Sequence, residues 1–177
     1  MLQAIIRDAA MLEYLDNRNS HKKSPNENLA RELMELFTLG EGNYSESDVK
    51  NAARALTGYT LAPTHDMQFR FDPQRHDHSK KTLFGQTGQF NGDDLVRIIL
   101  EQPQSARFIA KRFWHFYMAN DITDSDSQNL KVNRAIESLA DKFRSSNYSI
   151  SVLLRTLLES KEFWSCLLYT SPSPRDS

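Results

Sequence analysis

The sequence has almost no cysteine. Its single cysteine is Cys166, which lies near the end of the 177-residue chain. Residues 1–165 therefore contain neither a disulfide nor a thiolate metal site. A metal site in this part of the chain would have to be built from carboxylate and imidazole ligands.

The sequence also lacks long apolar runs and an excess of charge of one sign. It contains no stretch of about 18 apolar residues, so no transmembrane segment is predicted. The 22 basic and 23 acidic residues nearly balance, whereas a dedicated nucleic-acid surface usually needs a basic excess. We therefore predict neither a membrane span nor nucleic-acid binding.

Familiar catalytic motifs are absent as well. The sequence contains no Gly-x-Ser-x-Gly elbow, no phosphate-binding loop and no dinucleotide fingerprint. Serine hydrolases of the common type and nucleotide-dependent enzymes therefore have no motif support.

Helical periodicity runs through most of residues 1–165. Apolar residues recur three or four positions apart, as in amphipathic helices, in segments 2–16, 25–40, 45–58, 91–102, 104–118, 130–144 and 149–158. A chain of this length suits one domain. We predict a mainly α fold in which residues 1–165 are a fragment of one multi-helix domain.

Residues 67–85 depart from the helical pattern. Residues 67–72 alternate apolar and polar side chains with a period of two, and residues 81–84 form a second short candidate strand. The polar residues 73–79 between them suit a turn. We predict one small β-hairpin near residues 67–85, inserted among the helices.

The end of the chain differs from the rest in character. Residues 166–176 resemble a translated sequencing adapter over eleven consecutive positions. A remnant of this kind does not contribute to the fold of the natural protein. We expect residues 166–177 to be a disordered artefact of a metagenomic fragment, and the natural protein to continue beyond residue 165.

The segment 25–40 carries a family resemblance. Its matching residues are Pro25, Asn26, Glu27, Asn28, Ala30, Arg31, Glu32, Leu33, Glu35, Leu36, Thr38, Leu39 and Gly40. Further segments agree in register, namely 48–49, 53–58, 69–77, 92–94, 108–114 and 153–158. This pattern resembles a bacterial family, the domain of unknown function 1800, over essentially residues 1–164. His78 departs from it, because the family often has a small residue there.

The resemblance implies a setting for the protein and no particular reaction. The biochemical activity of the family is not established. Its members are mainly bacterial, are often exported, and are frequently encoded beside a second protein with a twin-arginine signal. The resemblance therefore implies an exported or periplasmic location and a co-encoded exported protein as a partner.

The polar face of segment 25–40 is the first candidate site. Glu32 and Glu35 are three residues apart, so both carboxylates lie on one face of a helix. Two carboxylates and a histidine can bind a divalent metal, and His76, Asp77 and His78 could supply the remaining ligands. Alternatively, Glu32, Glu35 or His76 could act in acid–base catalysis.

A structural network is the other interpretation of these residues. Glu32 and Glu35 would then be solvated or would pair with Arg31 and Arg54. Glu27 precedes Arg31 by four residues, which is the orientation that supports a helix. The remaining members of this predicted network are Asn26, Asn28 and Asp77.

The aromatic run at residues 113–117 has two interpretations. Its rings could stack on sugars or bases, but most such runs belong to a core because aromatic side chains bury large areas. We predict that this run is core.

Two functions follow from these alternatives. The first is a non-catalytic binding or assembly module of an exported protein. The second is a metal-assisted hydrolase that uses Glu32, Glu35, His76 and Asp77. For the second, the hairpin should fold back and bring His76 and Asp77 near Glu32 or Arg31. Convergence of the four side chains at a cleft favours the hydrolase, whereas a closed and fully paired network favours the module.

Overall fold

The computed structural model describes residues 1–62, 67–118 and 130–164. These residues are mainly helical with small antiparallel β elements, which confirms the predicted fold class. They divide into two compact units, residues 1–102 and the described residues from 103 onward. That residues 1–165 form one domain stays a prediction, and the tail at 166–177 lies outside the described residues. Among the described helices, none has the length and hydrophobicity needed to cross a membrane.

The first unit contains five α-helices, a short 3-10 helix (Asn17–Asn19) and four strands in its described part. The helices are α1 (Leu2–Ile5), α2 (Ala9–Tyr14), α3 (Asn28–Glu35), α4 (Glu46–Ala55) and α5 (Gly92–Glu101). The segment 2–16 is therefore two helices and not one. Asp8 separates them because its side chain accepts a hydrogen bond from the backbone N–H of Met11 and caps α2.

Both predicted strands are present, but each pairs with a strand that the alternation did not predict. The strand β2 (Phe69–Phe71) pairs with β1 (Tyr59–Leu61), and β3 (Lys81–Leu83) pairs with β4 (Gln86–Gly88). A two-residue turn, Phe84 and Gly85, joins β3 to β4 with φ of 48° and 81°. Two-residue turns with positive φ at both positions match the right-handed twist of paired strands, and they are the favoured hairpin turns. This turn therefore lets β3 pair with the strand that follows it.

The core of the first unit forms where α4 packs against α3, α5 and β3. The fully buried residues of α4 include Val49 and two small residues, Ala52 and Ala55. Small side chains allow close approach of the neighbouring elements, and leucines such as Leu33 and Leu95 fill the remaining space.

Two capping boxes determine where α4 and α5 begin. The Ser45 side chain accepts from the Asp48 backbone N–H, and the Asp48 side chain accepts from the Ser45 backbone N–H. Asn91 and Asp94 do the same for α5. Each box satisfies two backbone donors that helix geometry leaves unpaired.

The described part of the second unit is built from three main helices. These are α6 (Pro103–Met118), α7 (Leu130–Ser145) and α8 (Ile150–Leu158). Their shared core includes Trp114, Leu139, Phe143 and Leu153. The aromatic run is only partly core, because Trp114 is 3% exposed whereas Phe116 is 79% exposed. Consecutive residues on a helix point in different directions, so a run of five cannot all face inward.

Candidate functional site

Arg31 lies on α3 between two carboxylates. Its Nη2 is 3.2 Å from an oxygen of Glu27, and its Nη1 is 2.8 Å from an oxygen of Glu46. The hydrogen bond to Glu46 raises the pKa of Arg31, and the same bond lowers the pKa of Glu46. Arg31 is therefore held as a structural cation at the start of α3.

The start of α3 is also organised by Asn26. Its Oδ1 accepts from the Asn28 backbone N–H at 2.9 Å, and its Nδ2 donates to the Asp16 carbonyl at 3.2 Å. A polar cleft of about 350 Å³ opens there, and its lining includes Asp16, Ser20 and Glu27. Because Ser20 Oγ accepts from the Asn26 backbone N–H at 3.1 Å, these polar groups hold the loop before α3.

The two glutamates of α3 differ in their surroundings. Glu35 accepts a hydrogen bond from the Tyr44 hydroxyl at 2.7 Å. Burial and this bond together raise the pKa of Tyr44 to about 12. Glu32 is half-buried on the same helix and takes part in no ion pair within the described ranges.

Asp77 accepts hydrogen bonds at both oxygens of its carboxylate. Its Oδ2 is 2.7 Å from Arg54 Nε, and its Oδ1 accepts from the Ser79 backbone N–H at 2.8 Å. Burial alone would raise the pKa of Asp77, but the hydrogen bonds from Ser79 and Arg54 outweigh it and hold the pKa well below its usual range. Arg54 also donates to the carbonyl of Lys80 at 3.0 Å. The carboxylate and guanidinium thus tie the loop at 77–80 to α4.

His76 is a core residue, with 4% of its surface exposed. Its Nδ1 donates to the Thr57 carbonyl at 2.8 Å, since a carbonyl oxygen can only accept. Burial lowers the pKa of His76. The Thr57 hydroxyl accepts from the Asp77 backbone N–H at 2.8 Å and donates to the Arg54 carbonyl at 2.6 Å. His76 and Asp77 are therefore anchored through the end of α4.

Gly58 makes this anchoring possible. Its φ is +80°, and a Cβ there would lie 2.5 Å from the Asp72 carbonyl oxygen and 3.1 Å from the His76 nitrogen. Only glycine combines this backbone conformation with such close approach of another segment.

Lys81 is a charged residue of this region that we did not single out from the sequence. It is 1% exposed, and its Nζ donates to the carbonyls of Asp77 and Ser79. Burial lowers the pKa of Lys81. The period-two pattern contained the signal, because Lys81 shares a strand face with the buried Leu83.

The four candidate metal ligands are not brought together. The loop with His76 and Asp77 is held by Arg54 of α4, whereas we predicted an approach to Glu32 or to Arg31 of α3. Arg31 pairs with Glu27 and Glu46, and Asp77 pairs with Arg54. Throughout the described ranges, no three His, Cys, Asp or Glu residues are grouped so that they could hold a metal ion.

Comparison with known proteins gives one match. No curated protein and no solved structure matches the chain. The model of a family described as "Protein of unknown function (DUF1800)" matches residues 1–175. Because this match spans almost the whole sequence, the chain belongs to that family of proteins of unknown function.

Proposed function

We propose that this chain is a non-catalytic binding or assembly module of an exported protein. The observation that carries the proposal is the closed network around Asp77. Both of its carboxylate oxygens accept hydrogen bonds, from Arg54 on one side and from Ser79 on the other. A general base or a metal ligand needs a lone pair directed at the substrate or the metal, and this network uses three of the roughly four lone pairs of the carboxylate for the fold.

The other candidate groups support the same conclusion. His76 is buried and donates to a backbone carbonyl, which is the usual state of a histidine that belongs to a core. Glu35 is occupied by the Tyr44 hydroxyl. Glu32 is the candidate acid that remains for a partner or a ligand, and a single carboxylate specifies no reaction.

The partner that we propose is a second exported protein, encoded beside this one. The family resemblance suggests it, and the balanced charge of the chain argues for a protein partner over a nucleic acid. The metal-assisted hydrolase is the competing function, and metal content separates the two.

The test measures both properties on the full chain. Metal content is measured by mass spectrometry on the wild type and on Glu32→Gln, and association with the product of the neighbouring gene is measured by sedimentation velocity. We expect no stoichiometric metal and a complex of defined mass. One metal ion per chain that Glu32→Gln loses would overturn the proposal in favour of the hydrolase. The absence of a complex at micromolar concentrations would overturn the proposed partner.

A further inference from the structure

A cleft of about 660 Å³ lies among α6, α7, α8 and the residues just after α8. Small-molecule sites have volumes of roughly 300–1,000 Å³, so its size suits such a ligand. Its apolar lining includes Trp114, Ala135 and Leu139, and its hydroxyl groups include those of Ser138 and Thr156. All of these residues belong to the second unit, so the cleft shares no residue with the Asp77 network.

Trp114 provides the first sign of a ligand. The residue is 3% exposed, and its Nε1 is buried without a hydrogen-bond partner among the residues that the structure describes. Buried indole N–H groups usually have an acceptor, and a buried donor without one costs free energy. An acceptor that enters the cleft would satisfy this group.

The basic residues of α7 provide the second sign. Lys131, Arg134 and Lys142 all line the cleft. Together with Ser138 they are spaced three, four and four residues apart, which places them along one face of the helix. Arg134 and Lys142 form no ion pair with any described residue. Their charge is therefore available to an anion.

Two acids restrict the ligand further. Glu159 and Glu162 line the same cleft, so carboxylates lie beside the basic side chains. These carboxylates limit the positive potential of the cleft, so it suits one anionic group better than a polyanion such as a nucleic acid.

We propose that this cleft binds a small organic anion, in which a carboxylate or phosphate group is attached to an apolar body. The anionic oxygens lie beside Arg134 and Lys142 and accept from Trp114 Nε1, and the apolar body packs on Ala135 and Leu139. Because Nε1 is buried, the anion reaches it only after a neighbouring side chain moves aside. This site is independent of the proposed assembly role, which rests on the first unit.

The test follows the indole N–H signal of Trp114 by ¹H–¹⁵N NMR on the full chain. The chain has two tryptophans, so Trp164→Phe assigns the signal. Benzoate and phenyl phosphate are titrated at constant ionic strength, with neutral benzamide as the control ligand. Arg134→Gln removes a charge from the cleft, and the matched variant Arg155→Gln removes one from an exposed position of α8 outside it.

We expect a saturable downfield shift of the Trp114 signal with an anion and no shift with benzamide. Arg134→Gln should weaken binding about tenfold, and Arg155→Gln should leave it unchanged. A response to benzoate alone identifies a carboxylate site, and a response to phenyl phosphate alone identifies a phosphate site. The proposal is overturned if neither anion moves the signal, if benzamide moves it equally, or if the two arginine variants behave alike.

Discussion

In the first unit, polar side chains join residues that are far apart in sequence. Arg7 donates two hydrogen bonds to Asp93, 86 positions later, at 2.7 and 2.6 Å. Asn17 is completely buried and donates to the carbonyl of Tyr59 at 3.0 Å. Such bonds hold short helices and strands in place where each element buries little apolar surface by itself.

In the second unit, several hydroxyl groups bond within a single helical turn. Ser145, Ser146 and Ser160 each donate to the carbonyl three residues before them. The longer helices of this unit share an apolar core, and among the residues that the structure describes an ion pair between Arg107 and Glu137 links α6 to α7. Arg134 and Lys142 at its cleft form no ion pair with a described residue.

The two units show that a polar motif has to be interpreted together with the contacts that its side chains make. Two polar segments of the sequence, at 25–40 and 73–80, form side-chain hydrogen bonds and ion pairs within the first unit. The residues of the cleft are spread from Trp114 to Glu162 and form no motif. The density of charged residues along a sequence therefore does not by itself identify a binding site.

The largest expected effect is that of Gly58→Ala in the first unit. The substitution places a Cβ against the Asp72 carbonyl at positive φ, so we expect the free energy of unfolding to fall by about 3 kcal/mol. Urea denaturation followed by circular dichroism measures this, and tryptophan fluorescence reports the second unit, which holds both tryptophans. Gly42→Ala is the control, because Gly42 has φ of +79° and open space. Equal losses in the two variants would contradict the close approach at Gly58.

The next largest effect is the loss of stability on breaking an ion pair, which we expect to differ between the two units. Asp77→Asn leaves the guanidinium of Arg54 partly buried without its carboxylate, and we expect a loss of about 2 kcal/mol. Glu137→Gln breaks the Arg107 pair, whose side chains are 42% and 52% exposed, and should cost at most about 0.5 kcal/mol. Chemical denaturation of both variants measures the difference. Similar losses would mean that the two units use their charges alike.

A smaller effect is expected at Tyr44. Tyr44→Phe removes the hydrogen bond to Glu35 without changing the shape of the ring, and should cost about 1 kcal/mol. Tyr14→Phe is the matched control, because Tyr14 is 85% exposed and should show no change in thermal stability. If the Tyr44→Phe variant is as stable as the Tyr14→Phe variant, the hydrogen bond between Tyr44 and Glu35 does not stabilise the fold.

The smallest effect is a pH dependence from His76. Burial lowers its pKa below the ordinary 6.5, so the folded state binds fewer protons than the unfolded state between the two pKa values. Stability should therefore fall as the pH decreases from about 6.5 through the lowered pKa. Denaturation between pH 7.5 and 5 measures the slope, and His76→Gln should flatten it. An unchanged slope in that variant would assign the pH dependence to other groups.

The contribution of Asp77 to stability, whose pKa is also lowered, is lost only below its ordinary value of 3.8 and lies outside this pH window.

Much of the local structure could be predicted from the sequence. The apolar spacing located α3 to α8, because this signal acts within a few turns of one helix. The break at Asp8 and the positions of β1 and β4 were not predicted. Asp8 lies inside an apolar pattern that continues across it, and the two unpredicted strands are only three residues long.

The candidate site was harder to predict, for a physical reason. Local spacing placed Glu32 and Glu35 on one helix face, but it could not say whether Asp77 would meet Arg31 or Arg54. The Arg54–Asp77 pair joins residues 23 positions apart, and its formation depends on how the loop at 72–80 packs on the end of α4.

The mainly helical fold, the family and the absence of cysteine chemistry before residue 166 follow from the amino-acid sequence, because each depends on residue types and short-range spacing. The three-dimensional packing was needed to show that Asp77 meets Arg54, that Lys81 is buried, and that Trp114 and Arg134 line one cleft. Those outcomes depend on contacts between distant segments. The free energies of such contacts come from packing and desolvation, and they produce no periodic pattern of residues in the sequence.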